Sequence, residues 1–218
     1  MPESSIAEQV ESFNKGFTRQ IGPDLSAVFD TEQADLRAAG LPAAVVRPGN
    51  RLPDADLLTP GGDTVTLADD LGSAPAVVVF YRGAWCPYCN LTLRTYQQDL
   101  LPHLDALGAQ LVAISPQTPE GSEAAIANGE LAFLVRSDPG NVLAAQLGIV
   151  TEPSPEARRA HAQLGFDVAD SNADASGRIP FPTVLVVDAQ RVVRYVDIQV
   201  DYTARTEVDS IVAAVRAL

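Results

Sequence analysis

The chain has 218 residues, 46% of them hydrophobic and 20% charged, a balance that suits one soluble globular domain with an appendage. Its 15 basic and 28 acidic residues leave a net charge of −13, so a phosphate backbone would repel it and nucleic-acid binding is excluded. No apolar run approaches the roughly 18–20 residues that cross a bilayer, and the first 25, with Glu3, Glu8 and Glu11, hold no secretory signal, which leaves a cytoplasmic address.

Residues 1–40 read as a helical arm. Ser5-Ile6-Ala7-Glu8 has the form of a capping box, and Ile6, Val10, Phe13 and Phe17 follow on one helical stripe. Pro23 interrupts; Asp24 then caps a second helix through Leu25, Val28, Phe29 and Leu36 that ends at Gly40. The stripe must bury against the main domain or against a second copy of the chain. The main domain, 41–218, opens with a Pro-rich stretch to Leu58 and a short hairpin, Asp56–Thr59 with Thr64–Leu67, around Pro60-Gly61-Gly62. Pro75 to Tyr81 is a continuous apolar, β-branched run, the pattern of a central strand covered on both faces.

Helices and strands then alternate. A helix is expected from Pro87 to Leu107, a strand over Gln110–Ser115 and a helix over Pro119–Asn128. A strand follows at Ala132–Arg136 and a helix at Asn141–Leu147. Residues 149–181 form an insertion, helical at Pro155–Leu164 and loop-like at Asp167–Arg178, which we expect to line one wall of the cleft. Strands Thr183–Val187 and Val192–Val196 and a last helix from Tyr202 to Leu218 complete an α/β layered fold.

The chain has two cysteines, Cys86 and Cys89, three positions apart. A disulfide scaffold needs more pairs, and a structural zinc site would have to recruit His103 and His161, which lack finger spacing. A redox pair remains. Both thiols follow the best central strand and open the next helix, where sites of open α/β sheets form. With Cys86 as N-cap, Pro87 takes the first helical position, where its missing N–H costs nothing. Cys89 then lies one turn on, and the helix terminus favours a thiolate.

The stretch Phe80-Tyr81-Arg82-Gly83-Ala84-Trp85-Cys86-Pro87-Tyr88-Cys89 resembles the active-site segment of the thioredoxin suprafamily. More closely, the chain resembles peroxiredoxin-like (AhpC/TSA-type) proteins that carry a CxxC. Further support comes from Ala113-Ile114-Ser115-Pro116-Gln117-Thr118-Pro119, Ser137-Asp138-Pro139-Gly140-Asn141 and Leu147-Gly148-Ile149. Phe181-Pro182-Thr183-Val184-Leu185-Val186-Val187-Asp188 and Asp201-Tyr202-Thr203-Ala204-Arg205 also fit. The resemblance spans about 41–218. It implies a thioredoxin-like fold, a central mixed sheet flanked by helices, with a peroxiredoxin-type N-terminal hairpin.

Matched to the peroxiredoxin pattern, Cys89 takes the peroxidatic position, Cys86 that of a Thr, Arg82 that of a Pro and Pro182 that of a distant Arg. Pro182-Thr183 instead resembles the cis-Pro-Thr of thioredoxin, and Pro87-Tyr88 resembles glutaredoxin. Arg205 matches an arginine that some peroxiredoxins keep near the site; solvation at a helix N-terminus is its plainer role. Arg82 and Arg178 read as surface or helix-cap arginines or as substitutes for the missing one. Tyr81 and Tyr88 read as packing residues, His161 as a surface salt-bridging residue and His103 as a solvated one.

The resemblance implies an antioxidant thiol peroxidase that reduces hydrogen peroxide or organic hydroperoxides through a redox-active Cys86–Cys89 disulfide. Thioredoxin, glutaredoxin or glutathione would restore the thiols, with no bound cofactor, because the sulfurs carry the electrons. A homodimer is expected by analogy. A second reading makes Cys86 the nucleophile of a protein thiol–disulfide oxidoreductase, with Trp85 shaping the surface and Pro182 contacting partner backbone. A third is a non-enzymatic redox sensor that switches the surface of the arm.

Overall fold

The computed structural model describes residues 5–218; the first four residues of the arm lie outside them. Helix α1 (Ile6–Ala39) begins with the capping box, Ser5 Oγ accepting from the Glu8 N–H and the Glu8 carboxylate from the Ser5 N–H. The two expected helices are both present within α1 and meet at a kink. Gly22 leaves helical geometry (φ 80°, ψ 169°) because Pro23 has no N–H to donate and pushes the residue before it out of the α region.

The hairpin forms as β1 (Asp56–Leu58) and β2 (Thr64–Thr66), followed by the short α2 (Leu67–Leu71). Strand β3 (Ala76–Phe80) is wholly buried. The helix expected over Pro87–Leu107 is instead α3 (Pro87–Thr95), a π-helical turn at Tyr96–Leu100 and α4 (Leu101–Leu107). The wider turn sits just ahead of Pro102, whose ring and missing N–H are incompatible with a regular helix there.

Strand β4 (Gln110–Ser115) keeps its expected bounds, and α5 (Pro119–Gly129), β5 (Leu134–Ser137) and α6 (Val142–Gln146) follow. The 149–181 segment is more ordered than its composition suggests. It holds β6 (Val150–Thr151), α7 (Pro155–Gln163), α8 (Val168–Ser171) and β7 (Ile179–Pro180), and β6 and β7 pair antiparallel to close its ends.

The chain finishes with β8 (Thr183–Val187), β9 (Val193–Ile198) and α9 (Val208–Arg216). The last helix was expected from Tyr202, but it starts at Val208. Residues 201–207 are a strap of turns held by short-range side-chain bonds: Asp201 accepts from the Thr203 N–H at 2.9 Å, and Thr206 Oγ1 donates to Asp197 at 2.7 Å. Such local bonds compete with helix formation.

The main sheet has strand order β2-β1-β5-β4-β3-β8-β9. Strands β3, β4, β5 and β9 share one direction, and β8 runs antiparallel between β3 and β9, giving a mixed sheet. Alternation along β3 sends Val77 and Val79 to one core and Ala76, Val78 and Phe80 to the other. Helices α1, α3 to α5 and α9 build the first core, and α2 and α6 the second. Ile6 and Val10 are buried in the first core and Phe13 packs against it, so the arm's stripe is covered by its own chain. No helix of the described residues is long and apolar enough to cross a membrane.

Candidate active site

The site begins where β3 ends. Gly83 (φ 148°) turns the chain, and a Cβ there would meet Trp85 Nε1 at 2.5 Å and Gln117 Cδ at 2.8 Å, so only glycine fits. Gln117 Oε1 accepts from the Ala84 N–H at 2.7 Å and pins the turn. Cys86 is the N-cap of α3 (φ −88°, ψ 113°) with Pro87 at the first helical position. The Cys86 carbonyl accepts from the N–H groups of Cys89 and Asn90, both at 3.1 Å. Cys89 is thereby placed one turn on.

Both sulfurs are free thiols and both residues are buried, yet they differ sharply in acidity. Burial pushes the Cys89 thiol up, but the opposing interactions win and bring it to about 5. The Cys86 thiol donates to it, the Arg205 guanidinium stands beside it, and Arg82 adds both a backbone N–H and a positive charge. Arg205 Nη2 lies 3.6 Å from Cys89 Sγ. Burial raises the Cys86 thiol well above its usual value, and donation to Cys89 reinforces the shift. At neutral pH the pair is one thiolate, Cys89, and one thiol, Cys86.

The sulfurs face two different spaces. Cys89 adjoins a hollow of about 10 Å³, room for about one water-sized molecule. Pro182, Thr183, Tyr81 and Arg205 are among its walls. Cys86 instead lines a cavity of about 680 Å³ between the kinked arm, α7 and the strap. Phe13, Phe17 and Phe29 come to it from α1, and His161, Leu164 and Phe166 from the insertion.

Several expected positions need correcting. Arg82 is no surface arginine: it is 5% exposed, its guanidinium stacked 4.8 Å from the Trp85 ring and 4.3 Å from that of Tyr202. His161 is not a salt-bridging surface residue but is buried, its ring 4.7 Å from Phe166 and 5.3 Å from Phe29. Burial, aided by the Arg82 charge, lowers it to about 4, so it is neutral. Pro182 does lie beside Cys89, but its peptide bond is trans. Its carbonyl accepts from the Gln199 N–H at 2.8 Å, in line with the extended pairing that continues through Thr183. Thr183 Oγ1 turns back to the Phe181 carbonyl at 2.8 Å.

Trp85 stacks on Phe166 at 5.2 Å, and the Tyr88 hydroxyl donates to Asn14 Oδ1 at 2.6 Å, tying the CxxC to the arm. Arg178 is exposed and absent from both spaces, and His103 is exposed on α4. Asn14, Phe17 and Phe29 of the arm carry no local signal of a site. Their role arises only from the way α1 folds back over Cys86.

A dithiol at the end of a central strand, opening a helix in a mixed sheet with antiparallel β8 and β9, defines a thioredoxin-fold, peroxiredoxin-like protein. The AhpC/TSA family model matches residues 48–196, and the chain belongs to that family. The match leaves out α1, Arg205 and the strap. Over 101 residues the chain is 34% identical to the Haemophilus influenzae protein named "Putative peroxiredoxin bcp"; the aligned part is 46% of this chain and 64% of that relative.

Similar solved structures include peroxidoxin BcpB of Mycobacterium tuberculosis (TM-score 0.60, 21% identity, 79% of this chain and 98% of that one). Another is Prx3 of Vibrio vulnificus, solved reduced with hydrogen peroxide (TM-score 0.63, 16% identity, 78% and 99%). At such identity these two establish the fold.

Proposed function

We propose that the protein is an antioxidant thiol peroxidase that reduces hydrogen peroxide or organic hydroperoxides with Cys89 as the attacking sulfur. The observation that carries this is the Arg205 guanidinium 3.6 Å from Cys89 Sγ, beside a thiol whose pKa is lowered to about 5. The thiolate attacks one peroxide oxygen, the O–O bond breaks, and Cys89 becomes a sulfenic acid. The departing oxygen leaves as hydroxide, or as an alkoxide from an organic peroxide, and takes a proton from solvent. Arg205 supplies the positive charge where negative charge develops, in place of the arginine that Pro182 replaces.

Cys86 then attacks the sulfenic sulfur, water leaves, and a Cys86–Cys89 disulfide remains. Two electrons from thioredoxin, glutaredoxin or glutathione reset the pair, and a reducing compartment such as the cytoplasm favours the dithiol state. The small hollow beside Cys89 favours hydrogen peroxide over bulkier substrates.

The alternative, a protein thiol–disulfide oxidoreductase with Cys86 as nucleophile, draws on Cys86 facing the larger cavity. The raised pKa of the Cys86 thiol argues against it, because only a thiolate attacks. Rapid mixing with hydrogen peroxide, read by Trp85 fluorescence, separates the two. Cys86→Ser should consume one equivalent of peroxide and trap a sulfenic acid at Cys89, and Cys89→Ser should be inert. If only Cys89→Ser reacts, the assignment reverses. A rate no better than that of free cysteine would leave the oxidoreductase reading ahead.

A further inference from the structure

The two sulfurs open on spaces of very different size, and the larger one meets the sulfur that is not the thiolate. In the disulfide form, an incoming thiolate must attack the sulfur it can reach. Cys86 lines the 680 Å³ cavity and Cys89 does not. Attack on Cys86 expels Cys89, whose thiolate is the better leaving group because Arg205 and Arg82 stabilise it. The arrangement therefore suits reduction from the cavity side.

The cavity also says what the reductant is. It has the volume of a small-molecule site, and α1 roofs it with Phe13, Phe17 and Phe29. Arg82, on its wall, is 5% exposed and makes no ion pair among the described residues. Its guanidinium lies between two aromatic rings instead. In the disulfide form Arg82 loses the Cys89 thiolate that its charge stabilises; a buried cation without an anion is costly, and a carboxylate entering the cavity would satisfy it with a charge-assisted hydrogen bond. Of the acidic groups on the wall, Asp201 is already paired with Arg37 at 2.9 Å, and Asp30 is exposed on α1.

We propose that the cavity between the arm and α7 binds a low-molecular-weight thiol bearing a carboxylate, which reduces the Cys86–Cys89 disulfide through a mixed disulfide on Cys86. This rests on the dithiol–disulfide cycle above and chooses a small reductant over a protein one. The first thiolate bonds to Cys86 Sγ while the Cys86–Cys89 bond breaks, releasing the Cys89 thiolate. A second thiolate attacks the sulfur of the bound donor, releasing Cys86, which takes a proton. Two donor thiols become one donor disulfide, and the protein gains two electrons.

The test starts from protein oxidised chemically with diamide, so it does not depend on peroxide turnover, which is measured separately by rapid mixing with hydrogen peroxide. Reduction is followed by Trp85 fluorescence with 3-mercaptopropionate, with the similarly sized neutral 2-mercaptoethanol, and with a bacterial thioredoxin, rates being compared per thiolate. The carboxylate thiol should be about tenfold faster than the neutral one, the scale of one charge-assisted hydrogen bond, and Arg82→Gln should bring their ratio close to one.

Thr18 is exposed and lines the cavity from α1. Thr18→Trp should slow the carboxylate thiol several-fold while oxidation of the reduced form by peroxide keeps its rate. Equal rates for the two thiols, or a thioredoxin rate more than tenfold above that of 3-mercaptopropionate, would overturn the proposal. Inertness toward peroxide with the thiol preference intact would overturn only the peroxidase reading.

Discussion

Cys89 and Arg205 are separated by 116 positions and meet at 3.6 Å. Removing the guanidinium in Arg205→Met should raise the Cys89 thiol and slow its oxidation by hydrogen peroxide by about 100-fold, the usual cost of losing one preorganised donor. Stopped-flow rates with thiolate absorbance near 240 nm would check both effects. Because protonation removes the nucleophile, the wild-type rate should stay level through neutral pH and fall as the pH drops through about 5. A midpoint near 8 to 9 would show an ordinary cysteine. The cysteine pair was legible in the sequence because its chemistry is local: a strand end, an N-cap and a proline in three positions. Arg82 and His161 do not read as buried in the sequence because Phe29, which stacks on His161, and Tyr202, which stacks on Arg82, come from far along the chain.

Strands and helices with strong periodicity kept their places, and β4 and β8 keep their expected bounds. Elements shifted where one residue outweighs the pattern. Pro102 turns an expected single helix into two joined by a π turn, and that turn carries Tyr96, whose hydroxyl donates to the Thr206 carbonyl at 2.7 Å. Tyr96→Phe should cost about 1 kcal/mol or somewhat more, since it leaves a buried carbonyl without its partner; urea unfolding would measure it. Helix α7 brings His161 into the aromatic cluster as a neutral ring. Its folded-state pKa is lowered to about 4, so the unfolded chain binds the proton more readily below about pH 6.5. Its contribution is thus complete above that pH and is lost as the pH falls toward 4. His161→Phe should flatten this acid sensitivity, read as the unfolding midpoint at pH 7 against pH 4.5; equal slopes in the two proteins would refute a neutral buried ring.

Across the whole molecule the arm is the largest departure from what the resemblance covers. The sequence showed that its apolar stripe had to be buried but not where. The fold answers by laying α1 along α3 and α7. The Glu207 carboxylate accepts from the N–H groups of Ile6 (3.0 Å) and Ala7 (2.9 Å), so α9 begins on the residue that anchors α1. Glu207→Ala should cost about 1 kcal/mol, the scale of a lost helix cap, and should speed hydrogen exchange in the first turns of α1 more than in β3. Uniform exchange across both would argue that arm and sheet open as one. The redox-sensor reading, in which the arm responds to the sulfur state, would require that exchange in α1 differ between dithiol and disulfide.

The strap at 201–207 touches the arm at both extremities: Asp201 pairs with Arg37, the Tyr202 N–H donates to Gln33 Oε1 at 3.2 Å, and Glu207 holds Ile6 and Ala7. Between those anchor points it carries Arg205 to Cys89. A tug on either extremity of α1 is therefore felt by the very backbone that aims the guanidinium. Loosening the roof and dulling the sulfur become a single mechanical event, so a nick in the arm by a protease would be announced as a loss of thiolate.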